Sequence, residues 1–290
     1  MAENEPCHNV NHMPVRALRH VRKMRGGAQS HLIECDDGNF YVVKYAGNPQ
    51  HRRILSNELI ASVLLKYLQI SSPETAIVEL TSSFIEEFPE CAMVLGSQAV
   101  FPEPGWHFGS KYPGDPARMT IYDFIPDQLL SQVHNLHEFI SALAFDKWMG
   151  NADSRQSIFF RAQISQWLPG AEANPRKMGF VALMIDHGYV FNGPHWEFIN
   201  SAVQGLYTRK LVYNSIRSFA DFQPGLDRIV HFPEHVLDKA MRQIPPEWVA
   251  GDEDRLEKLL EGLMRRRKHV PDLIAEARLA KVSPFLNWPD

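Results

Sequence analysis

Trp148-Met149-Gly150-Asn151-Ala152-Asp153, residues 148–153, ends a stretch in which Phe139, Ile140, Leu143, Ala144, Phe145 and Trp148 recur at helical spacing. That periodicity predicts a helix with one buried face, running into a short polar loop that carries Asp153. Further on, Phe180-Val181-Ala182-Leu183-Met184-Ile185 is an unbroken apolar run closed by Asp186-His187-Gly188. Six apolar residues read as a buried strand. An acid directly after such a strand falls at the rim of a cleft, where a metal ion can compensate for its burial. The chain thus holds two aspartates at element ends, Asp153 and Asp186.

Upstream, His31-Leu32-Ile33-Glu34 and Phe40-Tyr41-Val42-Val43-Lys44-Tyr45 read as strands joined by the turn Asp36-Asp37-Gly38-Asn39. Leu59, Ile60, Val63, Leu64 and Tyr67 predict a helix over 56–68, capped by Ser56 and stopped before Pro73. Ala76–Leu80 is a further strand. Residues 15–25, with Arg16, Arg19, Arg22, Lys23 and Arg25, suit a short basic strand or helix. Residues 101–118 carry Pro102, Pro104, Gly105, Gly109, Pro113, Gly114 and Pro116 and read as a long loop. Its Trp106–Lys111 segment either borders a cleft or packs on its own aromatics. Downstream, Ser157–Phe160 suits a strand and 169–177 a polar turn. The rest is mostly helical, most clearly 253–267, with Leu256, Leu259, Leu260, Leu263 and Met264 on one face.

Four side chains and one turn form a constellation for phosphoryl transfer. Lys44, in a strand, can neutralise the non-transferred phosphates, and Glu58, on the next helix, can hold that lysine. Asp186 can bind Mg²⁺ bridging phosphate oxygens, and Asp153 can orient an acceptor hydroxyl and take its proton. The turn Gly26-Gly27-Ala28-Gln29-Ser30 can offer backbone N–H groups to phosphate. Each feature alone is ordinary. Their order is what carries the reading: glycine turn, strand lysine, helix glutamate, loop aspartate, strand-end Asp-x-Gly.

This order resembles that of protein kinases, and the wording is similar to the HipA-like kinase domain proteins. Gly27-Ala28-Gln29-Ser30 resembles their Gly-Ala-Gln phosphate loop. Phe145–Asp153 resembles their Gly-Asn-x-Asp catalytic loop, and Met184–Gly188 their metal-binding strand end. The resemblance spans residues 20–270. It implies a two-lobed α+β protein-kinase-like fold: an N-terminal lobe over 15–100 with an antiparallel sheet and one helix, and a larger helical lobe over 101–290. It implies ATP between the lobes, held by Gly27, Ala28, Gln29, Ser30 and Lys44, with Mg²⁺ or Mn²⁺ as the cation. Asp153 is then the catalytic base, aided by Lys44 and Glu58, and Asp186 is a metal ligand. The family places a metal-binding Asn five residues after the catalytic Asp, where this chain has Ile158. The amide oxygen of Gln156 can substitute, and Asn151 is a second candidate. Arg155 stands where the family has a His.

The acceptor implied is a protein Ser or Thr hydroxyl, with a small molecule as the alternative. A nucleotide-binding pseudokinase or regulatory module without turnover is a further reading. A metal-dependent hydrolase on Asp153, Asp186 and His187 would need a second cluster of His and Asp ligands, and the sequence offers none.

Bulk properties limit other classes. The 290 residues are 44% hydrophobic, enough for a substantial core, and the net charge of −4 argues against a duplex-binding protein. Cys7, Cys35 and Cys91 are too few and too widely spaced for a disulfide framework or a zinc knuckle, and suit free thiols. With no 18-residue apolar run and a polar N-terminus, the expected location is the cytoplasm. His8 and His12 beside Cys7 lack a second ligand pair and read as solvated tail residues. Arg265-Arg266-Arg267-Lys268 ends a helix, where cations complement the dipole. Pro194-His195-Trp196 reads as an aromatic anchor in preference to a substrate contact.

Overall fold

Strand alternation places Ile33, Cys35, Tyr41 and Val43 on one face and Leu32, Glu34, Phe40, Val42 and Lys44 on the other. In the computed structural model, which describes residues 13–169, 174–281 and 283–289, the first set fills a small closed barrel. Its strands are β1 (Val15–Lys23), β2 (His31–Cys35), β3 (Phe40–Lys44), β4 (Thr75–Leu80) and β7 (Gly105–Lys111), in the order β1-β2-β3-β7-β4. The neighbours pair antiparallel except at the seam, where β1 and β4 run parallel through Val15–Val78 and Arg16–Glu79. A small hairpin of β5 (Met93–Leu95) and β6 (Gln98–Val100) and the short helix α2 (Ser82–Glu87) flank the barrel.

The outer barrel face carries α1 (Arg53–Leu68), which is buried on nearly every side. A helix apolar all round belongs inside a core, and α1 lies between the barrel and the second lobe. Most of its buried polar side chains find partners, the Ser56 hydroxyl being an exception. Asn57 Nδ2 donates to the carbonyls of Gly188 at 2.8 Å and Gly193 at 2.9 Å, while its Oδ1 accepts from Trp196 Nε1 at 2.8 Å. The larger lobe holds α3 (Asp127–Leu130), α4 (Glu138–Met149), α5 (Gly225–Val230), α6 (Glu234–Met241), α7 (Pro246–Val249), α8 (Glu253–Arg266) and α9 (Val270–Leu279). Helix α4 is its centre, and Trp148, fully buried, donates to the Leu263 carbonyl at 2.9 Å. Between the lobes runs the antiparallel hairpin of β8 (Gln156–Gln163) and β9 (Met178–Ile185), in register from Gln156–Ile185 to Gln163–Met178. No helix among the described residues is long and apolar enough to cross a membrane.

The structure departs from the expectations in four places. The expected loop over 101–118 contains β7, which joins β3 to β4 and lies beyond the residue-100 boundary expected for the first lobe. Gly109, one of the glycines behind that loop expectation, is a packing residue of β7: a Cβ there would meet Val78 Cγ2 at 2.6 Å. Helix α1 begins at Arg53, so Ser56 is a fully buried helical residue and not a cap. The parallel β1–β4 seam turns the expected antiparallel sheet into a barrel. Residues 15–23 form the strand of the two options. Trp196 is 7% exposed and anchored on Asn57. Cys35 and Cys91 are buried free thiols, while Cys7, His8 and His12 lie outside the described residues.

The barrel interior makes one prediction about acid stability. His31 is fully buried, stacked on Tyr45 with ring centroids 5.1 Å apart, and its Nδ1 lies 2.9 Å from His20 Nε2. Burial, then the nearby His20 and Lys23, pulls its pKa down to about 3. The folded protein needs the neutral ring, whereas the unfolded chain takes up a proton near 6.5. The His31 contribution is therefore complete above that pH and is lost as pH falls toward 3, at about 1.4 kcal/mol per pH unit. His31→Phe should flatten the stability–pH slope between pH 6.5 and 4.5 by about that amount, read from urea unfolding at a series of pH values. An unchanged slope would mean that His31 is protonated in the fold.

Candidate functional site

Lys44 ends β3 and projects from the outer barrel face, away from the barrel core. There its ammonium meets two carboxylates from distant elements: Nζ donates to Glu58 Oε1 of α1 at 2.5 Å and to Asp186 Oδ1, just past β9, at 2.6 Å. Glu58 also accepts the backbone N–H of His187 at 3.0 Å through Oε2. One acid on α1 therefore ties the barrel lysine to the strand end of the hairpin. Burial alone would lower the Lys44 pKa, but Glu58 and then Asp186 outweigh it and hold the ammonium above its ordinary value. Lys44 in turn holds the Asp186 carboxyl below its ordinary value. Asp186 has φ +56° and its side chain is 37% exposed, which leaves it facing the cleft. Gly188 lets α1 approach: a Cβ there would lie 2.5 Å from Ile54 Cγ2.

Asp153 is exposed in the loop after α4. Its backbone N–H donates to Asn151 Oδ1 at 3.1 Å, its Oδ1 accepts from Ser154 N at 2.7 Å, and its carbonyl accepts from Gly205 N at 3.2 Å. Gln156 opens β8 opposite Ile185, beside Asp186, and its Nε2 donates to Asp153 Oδ2 at 3.3 Å. The amide of Gln156 therefore touches Asp153 from a strand position paired next to Asp186, with its oxygen unengaged by Asp153. Ile158 is buried in the apolar face under the cleft, with Leu183 and, partly buried, Ile185. Along the same hairpin a groove of about 730 Å³ opens between the lobes, lined among others by Phe40, Tyr112, Pro113, Trp167 and Leu183.

The glycine turn joins β1 to β2, closed by Gln29 N donating to Gly26 O at 3.1 Å and Met24 N to Ser30 O at 2.8 Å. Ala28 and Ser30 are buried and Gly27 is exposed. The Gln29 side chain turns outward, to the β5–β6 hairpin. Its Oε1 accepts from Val94 N at 2.8 Å and Lys23 Nζ at 2.7 Å, and its Nε2 donates to Val94 O at 2.6 Å. Gln29 thus has both its side chain and its backbone N–H engaged within the protein.

Sequence reasoning missed the buried polar cluster under the Asp153 loop, in which Arg155 and Asp146 form an ion pair with side chains 1% and 0% exposed. The signal was present, since Asp146 is an acid inside an otherwise apolar helical face. Among the described residues, no three His, Cys, Asp or Glu side chains group at metal-binding spacing. His187 is buried, with Nδ1 accepting from Arg155 Nη1 at 2.9 Å, and burial and then Arg155 drive its pKa well below the ordinary value.

Comparison with known proteins bears on this arrangement. None of the curated proteins matches this chain. A crystal structure of the Golgi casein kinase is similar, with 16% identity and a TM-score of 0.50 over 97% of this chain and 79% of that one. At that identity the likeness shows the fold alone, a two-lobed protein-kinase-like fold with a sheet lobe and a helical lobe. A second structure of that enzyme, with Mn/ADP bound, matches at 13% identity and a TM-score of 0.49, covering 92% of this chain and 73% of that one. The family model described as HipA-like kinase matches residues 18–270, most of the chain and every residue of the site above. With that match, the chain belongs to the HipA-like kinase family, a family of kinase-like phosphotransferases.

Proposed function

We propose that this protein transfers the γ-phosphoryl group of ATP to a hydroxyl, that of a Ser or Thr on a protein, in the cytoplasm. The observation that carries the proposal is Lys44 Nζ held between Glu58 at 2.5 Å and Asp186 at 2.6 Å, a cation and a half-exposed carboxylate fixed at one cleft. In this reading Lys44 neutralises the non-transferred phosphates, backbone N–H groups of the 26–30 turn face them, and Glu58 keeps Lys44 in place. Asp153 orients the acceptor hydroxyl and takes its proton. The groove beside Leu183 offers an apolar wall for the base.

Asp186 and Gln156 would hold Mg²⁺, or Mn²⁺ in its place. A carboxylate and an amide oxygen are hard donors, and such ions commonly take one or two protein oxygens and fill the rest of their shell with phosphate and water. The bound cation supplies neutralisation of the charge that develops on the phosphoryl oxygens. Gln156 then does the work expected of an Asn at position 158. Gln156→Ala should raise the Mg²⁺ concentration for half-maximal transfer by about 10-fold or more, and Gln156→Asn should fall between it and wild type. An unchanged Mg²⁺ titration in a folded Gln156→Ala protein would remove Gln156 from the metal site.

The buried apolar Ile158 favours one second reading, a nucleotide-binding module without turnover. Metal-dependent ATP binding with no phosphate transfer to any acceptor, the protein itself included, would establish it.

A further inference from the structure

We infer that Arg155 is a positioning residue that sets Asp153 and Asp186 at a fixed separation, an inference that rests on the phosphotransfer reading. Arg155 lies two residues after Asp153, and its guanidinium reaches both residues that flank Asp186: Nη1 donates to the Ile185 carbonyl at 3.1 Å and to His187 Nδ1 at 2.9 Å. The other side of the fork grips Asp146 of α4, with Nε donating to Oδ2 at 2.8 Å and Nη2 to Oδ1. Asp146 Oδ1 also accepts from Asn151 Nδ2 at 2.9 Å, and Asn151 Oδ1 accepts the Asp153 N–H at 3.1 Å. One buried carboxylate on a rigid helix is therefore tied to Asp153 from both sides, through Asn151 before it and Arg155 after it. Arg155 extends the same tie to the strand end that carries Asp186.

Packing gives this cluster no slack. Gly205 lies against it with φ +70°, and a Cβ there would fall 2.2 Å from Asp146 Cβ. The backbone N–H of Arg155 donates to the Leu206 carbonyl at 3.1 Å, which fixes the segment after Gly205 to the loop. The positive φ of Asp186 is uncommon for a side-chain-bearing residue and persists where neighbours enforce it. Here the neighbours are Ile185 and His187, both held by one guanidinium. A lysine cannot replace that fork. Its single ammonium cannot meet a carboxylate in bidentate fashion while also reaching a carbonyl and a ring nitrogen on the opposite side.

The test uses Arg155→Lys, with fluorescent ADP binding measured with and without Mg²⁺, phosphate transfer from ATP, and a thermal melt. Displacement of the two aspartates by about 1 Å should lower kcat by about 100-fold. Metal-free ADP affinity should stay within about twofold of wild type, while the gain in affinity on adding Mg²⁺ should shrink by about 10-fold, because Asp186 is displaced and Lys44 is not. If Arg155→Lys does not fold, Asp146→Asn, which keeps volume and the Asn151 contact, is read in the same assays. A folded variant with wild-type kcat, or one that loses metal-free and metal-dependent affinity equally, overturns the inference. If wild type binds nucleotide with a Mg²⁺ gain but transfers no phosphate, the phosphotransfer reading fails alone and Arg155 is still judged by that gain. If wild type binds no nucleotide, both fall together.

Discussion

Asp153→Asn lowers the rate of phosphate transfer by about 10²–10⁴-fold and leaves nucleotide affinity nearly unchanged, if Asp153 is the proton acceptor. The substitution is mild for the fold. Asp153 is exposed, and its carboxylate contacts are the Ser154 N–H and the Gln156 amide, so an amide can keep part of that pattern. What the amide cannot do is take a proton from a hydroxyl. The expected signature is a fall in kcat with KM for ATP unchanged, which marks an interaction made only in the transition state. A fall in nucleotide affinity with kcat intact would assign Asp153 to binding. Steady-state transfer kinetics, with binding measured separately, distinguish the two.

Lys44→Met should have the largest effect on stability, about 3–5 kcal/mol, because it strands a buried carboxylate. Glu58 is 3% exposed, and Lys44 supplies its counter-charge. Burial pushes the Glu58 carboxyl up, and Lys44 is the main opposing influence. Without Lys44 the folded protein keeps Glu58 protonated to higher pH than the unfolded chain does. A raised folded pKa means that stability falls as pH rises above the unfolded value of about 4.3, so the deficit of Lys44→Met should grow from pH 5 to pH 8. Lys44→Met/Glu58→Gln should recover about half or more of the loss, since removing both charges is far less costly than removing one. Chemical denaturation of the three proteins at two pH values checks both statements. A double variant no more stable than Lys44→Met would show that packing, not charge, dominates at this position. Nucleotide affinity should stay impaired in the double variant, because the cation is gone.

The parts of this molecule legible in its sequence are those that depend on local pattern. The β-rich composition of Phe40–Tyr45 and helical spacing in 139–148 and 256–264 place β3, α4 and α8, and the apolar run 180–185 places β9. Lys44, Glu58 and Asp186 were readable as a set from their order along the chain, and the structure brings those three side chains into contact. The misses come from long-range packing. Residues 101–118 look like a loop because proline and glycine are loop formers, yet Gly109 is there because the barrel leaves no space for a Cβ beside Val78. Ser56 has the chemistry of a cap, but a turn of helix precedes it, and that turn carries Arg53, which pairs with Asp252 across the lobes, Nε donating to Oδ2 at 2.9 Å. The Gln29 side chain is held by a hairpin 65 positions downstream, a contact that no local pattern announces. Arg155 could be seen to differ from the family's His, but its role depends on Asp146, Ile185 and His187, which no local pattern connects to it.

The most direct test of the central claim is transfer of labelled γ-phosphate from ATP, with Mg²⁺ or Mn²⁺, by wild type and by Asp186→Asn, scored on the protein itself and on a panel of protein acceptors. The account predicts metal-dependent labelling by wild type that Asp186→Asn abolishes while remaining folded. Labelling that survives in Asp186→Asn, or wild type that neither binds nor consumes ATP with either metal, would contradict it.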